Sequence, residues 1–333
     1  MGMKRLPLLV ISVILLFIFV LLEISTVSDK MTLSDIFLSF IHSSDSIYTD
    51  IVWTYTMPRV TVALVIGAGL AVCGAAMQAL FKNPMASPYI LGLSSGASVG
   101  ASIAILFAIP FVPELVAAPL LAFIFCMLTT FLVYGLAKGT GAVSTESLIL
   151  IGLAISALFS AFVSLMTVIA GEKMSSIVFW TMGSLAQYNW DKVLIISPIV
   201  ILGSLMILSY SRELNAIMLG DAHAKDLGIE VKKVRLMLLL ITSLITAACV
   251  AFTGVIGFVG LVIPHVVRLL IGPDNRYMMP FSILIGALFL LACDYVSRAV
   301  FSGDVLPIGV VTAMVGAPYF IYLIYKRKSE VGW

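Results

Sequence analysis

Long apolar runs alternate with short polar joints along this chain. A bilayer-crossing helix needs about 17–25 mostly apolar residues. That rule predicts spans over Leu6–Leu22, Pro58–Leu80, Tyr89–Ile109, Leu115–Ala137, Glu146–Ala170, Asp191–Tyr210, Arg235–Phe252, Tyr277–Val300 and Pro307–Tyr325. Ile256–Ile271 is shorter and contains Pro264, so it either crosses or re-enters. A polar stretch, Glu23–Tyr55, follows the first run, and Ser175–Ala186 predicts a short helix beside the membrane. The first run follows a basic start, Met1–Arg5, but no small-residue cleavage site follows it, so it reads as a span rather than a signal peptide. Gly92, Gly96 and Gly100 form G-x-x-x-G-x-x-x-G, a face on which two helix backbones can approach closely.

One polar stretch breaks the pattern. Ser211–Arg235 holds nine of the 36 Asp, Glu, Lys and Arg residues. Leu214, Ile217, Met218 and Leu219 fall at helical spacing, and Ala224, Leu227 and Val231 form a second set. Gly220-Asp221 divides them, with Asp221 placed to N-cap the second helix and Gly228 to stop it. The spacing predicts two short amphipathic helices outside the bilayer; composition alone also admits a solvated loop.

Composition fixes the class. Hydrophobic residues are 61 % of the 333 and charged residues 11 %, against roughly 45–50 % and 25 % in soluble domains. The chain is therefore an all-α polytopic membrane protein with about ten transmembrane helices. With ten spans and the N-terminus inside, 14 of the 19 Lys and Arg fall on the inner side, Lys4 and the Lys326-Arg327-Lys328 ending among them. Lys30, Arg59, Lys173, Lys192 and Arg298 fall outside. That count predicts a multi-pass protein with both termini and Ser211–Val234 in the cytoplasm. A net charge of +2 offers nothing to nucleic acid. Cys73, Cys126, Cys249 and Cys293 are scattered in apolar runs and read as unpaired thiols that pack as small hydrophobes.

The missing chemistry narrows the function. There is no G-x-x-x-x-G-K-[ST], no H-E-x-x-H and no G-x-S-x-G. The Gly254, Gly257, Gly260 series lacks the following Lys and reads as backbone freedom at a span boundary. His42, His223 and His265 have no metal-ligand spacing. No cofactor or metal is expected. Ionisable residues deep in the spans are scarce, unlike in an ion-coupled carrier, the rival reading. Asp294 and Arg298 lie one turn apart and read either as a local ion pair or as functional residues. The chain can form a path but carries no energy source of its own.

Five stretches then match a family. They are M-P-R-V (57–60), G-A-A-M-Q-A-L-F-K-N-P-M-A-S-P-Y-I-L-G-L-S-S-G-A (74–97), L-G-D-A-H-A-K-D-L-G (219–228), G-V-I-G-F-V-G-L-V-I-P-H-V-V-R-L-L-I-G-P-D-N-R (254–276) and L-P-I-G-V-V-T-A-M-V-G-A-P-Y-F (306–320). In this order and spacing the chain closely resembles the FecCD-type permeases of binding-protein-dependent, ATP-driven importers. The resemblance covers nearly the whole chain, residues 1–333, as one transmembrane permease domain. It implies the type II ABC importer permease fold, with two short cytoplasmic coupling helices at about 211–234. The implied partners are a second permease subunit, identical or related, two ATP-binding subunits, an extracytoplasmic substrate-binding protein and the lipid bilayer. The chain itself would be a transport subunit without an ATPase site.

Residue roles follow from the same resemblance. Leu219, Gly220, Asp221, Ala222, His223, Ala224, Lys225, Leu227 and Gly228 match the segment that docks on the ATPase. Arg59 and Arg298 match outer-face arginines that meet carboxylates of the binding protein, and both are expected to reach the outer surface. A further Arg common in the family is replaced by Thr56. Ser144, Thr145 and Glu146 match a narrow cytoplasmic gate, where Glu146 replaces a small polar residue. The spans at Glu146–Ala170 and Pro307–Tyr325 would line the path. The implied cargo is an iron–siderophore complex, with haem, cobalamin or an oxyanion such as molybdate as alternatives, in a prokaryotic cytoplasmic membrane.

Overall fold

The structure is a computed structural model and describes residues 5–26, 33–40, 47–107, 109, 112–139, 143–186, 188–299 and 306–330. Lys4, Lys30 and His42, and Val300 at the end of one expected span, lie outside the described residues. The helices are α1 (Arg5–Ser25), α2 (Leu33–Phe40), α3 (Ile47–Ile51), α4 (Met57–Leu80), α5 (Leu93–Leu106), α6 (Glu114–Gly139), α7 (Thr145–Ile169) and α8 (Met174–Met182), followed by α9 (Trp190–Ser209), α10 (Ser211–Leu219), α11 (Asp221–Asp226), α12 (Val231–Thr253), α13 (Val259–Ile271), α14 (Asn275–Ala299) and α15 (Ile308–Glu330). Seven are long and apolar enough to cross a membrane, and three shorter apolar ones, Leu93–Leu106, Val259–Ile271 and Ile308–Tyr322, bring the total to the ten expected, among the described residues.

Burial sorts the spans. The most apolar window of the Thr49–Leu80 segment is 78 % buried and that of α12 is 72 %, whereas that of α7 is only 11 %. So α4 and α12 form the centre, and α7 presents apolar side chains outward, including Leu150, Leu153, Leu158 and Phe162. A helix apolar all round but unburied must meet lipid or another chain.

Close helix contacts come from glycine. A Cβ at Gly96 would lie 2.0 Å from Thr129 Oγ1 and one at Gly100 2.3 Å from the Leu121 carbonyl, so the expected small-residue face of α5 packs on α6. The centre uses the same device where no pattern was read. A Cβ at Gly67 would lie 2.3 Å from the Gly286 carbonyl, and one at Gly74 1.8 Å from that of Gly260. α4 thus meets α14 and α13 backbone to backbone, and every interposed methyl would force them apart.

Two expected spans are shorter than read. α5 begins at Leu93 instead of Tyr89, because Pro88–Leu91 form a 3-10 turn and Gly92 is left-handed, at φ 77°. α13 has 13 residues, about 20 Å at 1.5 Å per residue, less than the roughly 30 Å hydrocarbon layer. The unwound residues before it, 254–258, are held inside protein: Tyr89 Oη donates to the Ile256 carbonyl at 2.9 Å, Gly254 and Ile256 are buried, and just ahead of them Ser184 N–H donates to the Thr253 carbonyl at 2.7 Å. Irregular backbone at membrane depth is tolerated only under such cover. Gly260 is not part of that loose boundary, as the glycine series suggested. It lies inside α13 and lets the helix reach α4. The four cysteines are unpaired and buried, as expected.

Candidate functional site

The two ends of the bundle differ. One gathers the α4–α5 joint, the start of α7, α10–α11 and the α13–α14 joint. The expected pair of short helices is present, α10 and α11, broken at Gly220, whose φ of 137° and ψ of 145° suit glycine. Leu214 and Ile217 are buried, while Leu219 and Leu227 are exposed at 75 % and 61 %. α10 therefore buries one face, while Leu219 at its end and Leu227 just past α11 stand out. Gly228 ends the pair at φ 82°, its N–H donating to the Lys225 carbonyl at 2.8 Å.

Asp221 does not act as the cap the sequence suggested. It is the first residue of α11, Gly220 occupies the cap position, and no side chain caps the helix. Two cations compete for its carboxylate instead. Lys82 Nζ donates to Oδ1 at 2.8 Å and Arg235 Nη2 to Oδ2 at 3.1 Å. Hydrogen bonding from Lys82, the larger effect, and then the charge of Arg235 hold the Asp221 carboxyl below its ordinary value. Lys82 itself sits at φ 51°, a left-handed conformation uncommon outside glycine.

A second clamp holds α10. Asn215 Nδ2 donates to Asp274 Oδ1 at 2.8 Å, and Asn215 Oδ1 accepts from the Asn275 backbone N–H and Nδ2, both at 2.9 Å. Arg276 grips the same Asp274 at 2.6 Å, and this contact, followed by Asn215, holds the Asp274 carboxyl well below the usual carboxylate range. The inward side of α10–α11 is thus fixed to the α4–α5 joint, the α13–α14 joint and the start of α12, and Leu219 and Leu227 stand exposed on its outward side. Ser144 caps α7: its Oγ accepts from Ser147 N–H at 3.1 Å and its N–H donates to Ser147 Oγ at 3.1 Å. Thr145 is half-buried and Glu146 exposed in the first turn of that helix.

The opposite end carries Arg59 and Arg298, and both have carboxylate partners within the chain. Neither guanidinium stands free at the surface; their side chains are 11 % and 17 % exposed. Arg59 donates from Nε and Nη2 to the two oxygens of Asp294, each at 2.7 Å, and Asp294 is fully buried. Arg298 pairs with Glu23 in the last turn of α1, not with Asp294. The local Asp294–Arg298 pair does not form because Arg59, 235 residues away in sequence, takes the carboxylate in two-pronged fashion. Glu23 had read as the first residue of a polar joint, yet it is completely buried. Thr56 is buried in the π-helix, Val52–Thr56, that leads into α4.

This arrangement is a polytopic helical bundle with a clamped, two-helix projection at one end and paired buried charges at the other. The chain belongs to the FecCD transport family, whose match spans residues 15–326. It is 41 % identical over 84 % of its length to the "Cobalamin import system permease protein BtuC" of Halobacterium salinarum, covering 74 % of that protein. It is 37 % identical over 82 % of its length to the "Hemin transport system permease protein HmuU" of Yersinia pestis, covering 83 % of that protein. A solved structure described as "An inward-facing conformation of a putative metal-chelate type ABC transporter" superposes with a TM-score of 0.85 at 34 % identity, covering 95 % of this chain and 97 % of that one. The fold is that of an ABC transporter permease.

Proposed function

We propose that this chain is the permease subunit of an ATP-driven importer and carries a metal chelate across a prokaryotic cytoplasmic membrane. The observation that carries the reading is the α10–α11 projection, fixed inward by Asp221 and Asn215 and bare outward at Leu219 and Leu227. Two large exposed apolar side chains among charges suit a protein partner. That partner is the ATPase, docking on Leu219–Leu227 and Gly228 from the cytoplasm, the side the positive-inside count assigns.

The remaining roles follow the same reading. Two permease subunits pack side by side, and α7 and α15 line the path between them, which accounts for the unburied apolar face of α7. Ser144, Thr145 and Glu146 form the gate at its cytoplasmic end. Arg59 and Arg298 serve the binding protein at the outer end, where its carboxylates compete with Asp294 and Glu23 for the guanidinium groups. Cobalamin and haemin, named for two relatives, are both metal chelates, and an iron–siderophore is of the same kind.

The test is reconstitution in vesicles. With ATPase subunits, a binding protein and ATP, labelled ferric siderophore, haemin, cobalamin and molybdate are offered in turn. One metal chelate should accumulate, and none should accumulate when the chain stands alone under a proton or sodium gradient. Uptake by the chain alone makes it a secondary carrier, and uptake of molybdate only moves the cargo to oxyanions.

A further inference from the structure

Arg235 stands in the first turns of α12, with its side chain 13 % exposed. Its Nη2 donates to Asp221 Oδ2 at 3.1 Å and its Nη1 to the Val143 carbonyl at 3.4 Å. Asp221 opens α11 in the projection. Val143 precedes Ser144, Thr145 and Glu146 at the start of α7. One guanidinium therefore joins α11 to the residue that precedes the α7 cap. The other carboxylate oxygen of Asp221 is held by Lys82, whose left-handed backbone turns the α4–α5 joint toward it. The buried Nε of Arg235 has no hydrogen-bond partner.

We propose that Arg235 is a positioning residue that transmits movement of the ATPase-facing projection to the loop that opens α7. The inference rests on the reading of α10–α11 as the ATPase contact and of residues 144–146 as the gate. The geometry explains why the residue is arginine. A planar fork reaches two acceptors in different directions at once, whereas an ammonium is a point charge on a flexible stem. Displacing α11 pulls the carboxylate, the carboxylate pulls the fork, and the fork carries the carbonyl one residue before the α7 cap. Lys82 holds the carboxylate from the other side, so the link has a fixed end to work against.

The experiment uses the reconstituted complex with its ATPase and binding protein, comparing wild type, Arg235→Met and Arg235→Lys. Two quantities are read: cargo moved per ATP hydrolysed, and the ATP-driven change in water accessibility of a spin label on Leu150→Cys, an exposed α7 position. The four native cysteines are buried, so the label reports one site. Arg235→Met should lower cargo per ATP about tenfold, the change that about 1.4 kcal/mol makes in an equilibrium, and should flatten the label's response. Arg235→Lys should not rescue either quantity, because one nitrogen on a shorter stem cannot occupy the two separate places from which Nη1 and Nη2 reach the carbonyl and the carboxylate. Full rescue by lysine, or an undiminished label response in Arg235→Met, overturns the proposal. So does loss of ATPase binding in both variants, which makes Arg235 a structural support only. A wild-type chain that bound no ATPase would sink the parent reading instead, and that control separates the two failures.

Discussion

Arg59 and Asp294 form a two-pronged ion pair between α4 and α14, with both hydrogen bonds at 2.7 Å. The carboxylate has no exposure, so its charge depends on this partner. Removing one member of a buried pair typically costs about 3–5 kcal/mol, while replacing both by apolar groups is often near neutral. Asp294→Leu should therefore lower the unfolding midpoint of the detergent-solubilised chain strongly, and Arg59→Met with Asp294→Leu should recover most of the loss. Equal midpoints for the single and double variants would mean that the pair is not the source of the effect.

Glycine contacts give a second prediction. Gly74→Ala drives a methyl into the Gly260 backbone, where even a small overlap cannot relax by side-chain motion. The cost should reach at least the roughly 1–3 kcal/mol typical of overpacking. Gly135 lies within α6 with nothing within 4 Å of its would-be Cβ. Gly135→Ala should stabilise by about 0.5–1 kcal/mol through helix propensity. Thermal unfolding of the two variants side by side checks the sign of each.

How far the sequence reached depends on the range of the interaction. Spans such as α7, read as Glu146–Ala170 and found at Thr145–Ile169, are written in local hydropathy. So is the α10–α11 break, because Gly220 and the apolar spacing are neighbours in sequence. Long-range pairing is not local. Glu23 looks like a joint residue until α14 brings Arg298 to it. Asp221 has every local feature of a cap, and only the fold brings Lys82 and Arg235 close enough to claim it. The Gly67–Gly286 contact likewise joins two glycines with no shared motif.

The tether of α10 gives a third prediction. Asn275 is fully buried, and its side chain and backbone N–H both donate to Asn215. Asn215→Leu removes the acceptor of the Asn275 backbone N–H and leaves Asn275 Nδ2 with only the Met218 sulfur, at about 1–3 kcal/mol for a buried group left unsatisfied. Hydrogen exchange of the α10 amides should rise while that of α4 stays protected. Unchanged exchange in α10 would show that the apolar contacts of Leu214 and Ile217 hold it unaided.

A fourth prediction concerns pH. Lys82, and then Arg235, hold the Asp221 carboxyl below its ordinary value of 3.8. A carboxyl depressed on folding contributes stability that is complete above its unfolded pKa and is lost as pH falls through the folded one. The Asp221 contacts are therefore intact throughout the neutral and mildly acid range. The ratio of ATPase affinities of wild type and Asp221→Asn should be the same at about pH 5.5 and 7.5, both well above the ordinary aspartate value. A ratio that changed between them would place a different titrating group at the contact.

Gly220 supplies the last test, because its conformation and its surroundings can be separated. Its φ of 137° is strained for any residue with a side chain, yet nothing lies within 4 Å of a Cβ built there. Any effect of substitution must then come from the backbone and not from a clash. Proline fixes φ near −65°, so Gly220→Pro must rebuild the turn between α10 and α11. Alanine can hold the strained geometry at a cost of about 1–3 kcal/mol. Neither change touches the buried faces of α4, α12 or α14, so insertion and thermal stability of the spans should persist. Copurification with the ATPase should fall in the order wild type, Gly220→Ala, Gly220→Pro, with the proline variant losing the partner. If Gly220→Pro still copurifies and transports normally, the turn does not set the shape the ATPase recognises. If it fails to insert, α10–α11 belongs to the folding core and not to a docking surface. Retained insertion with lost copurification is the outcome that the free outward face of the projection requires.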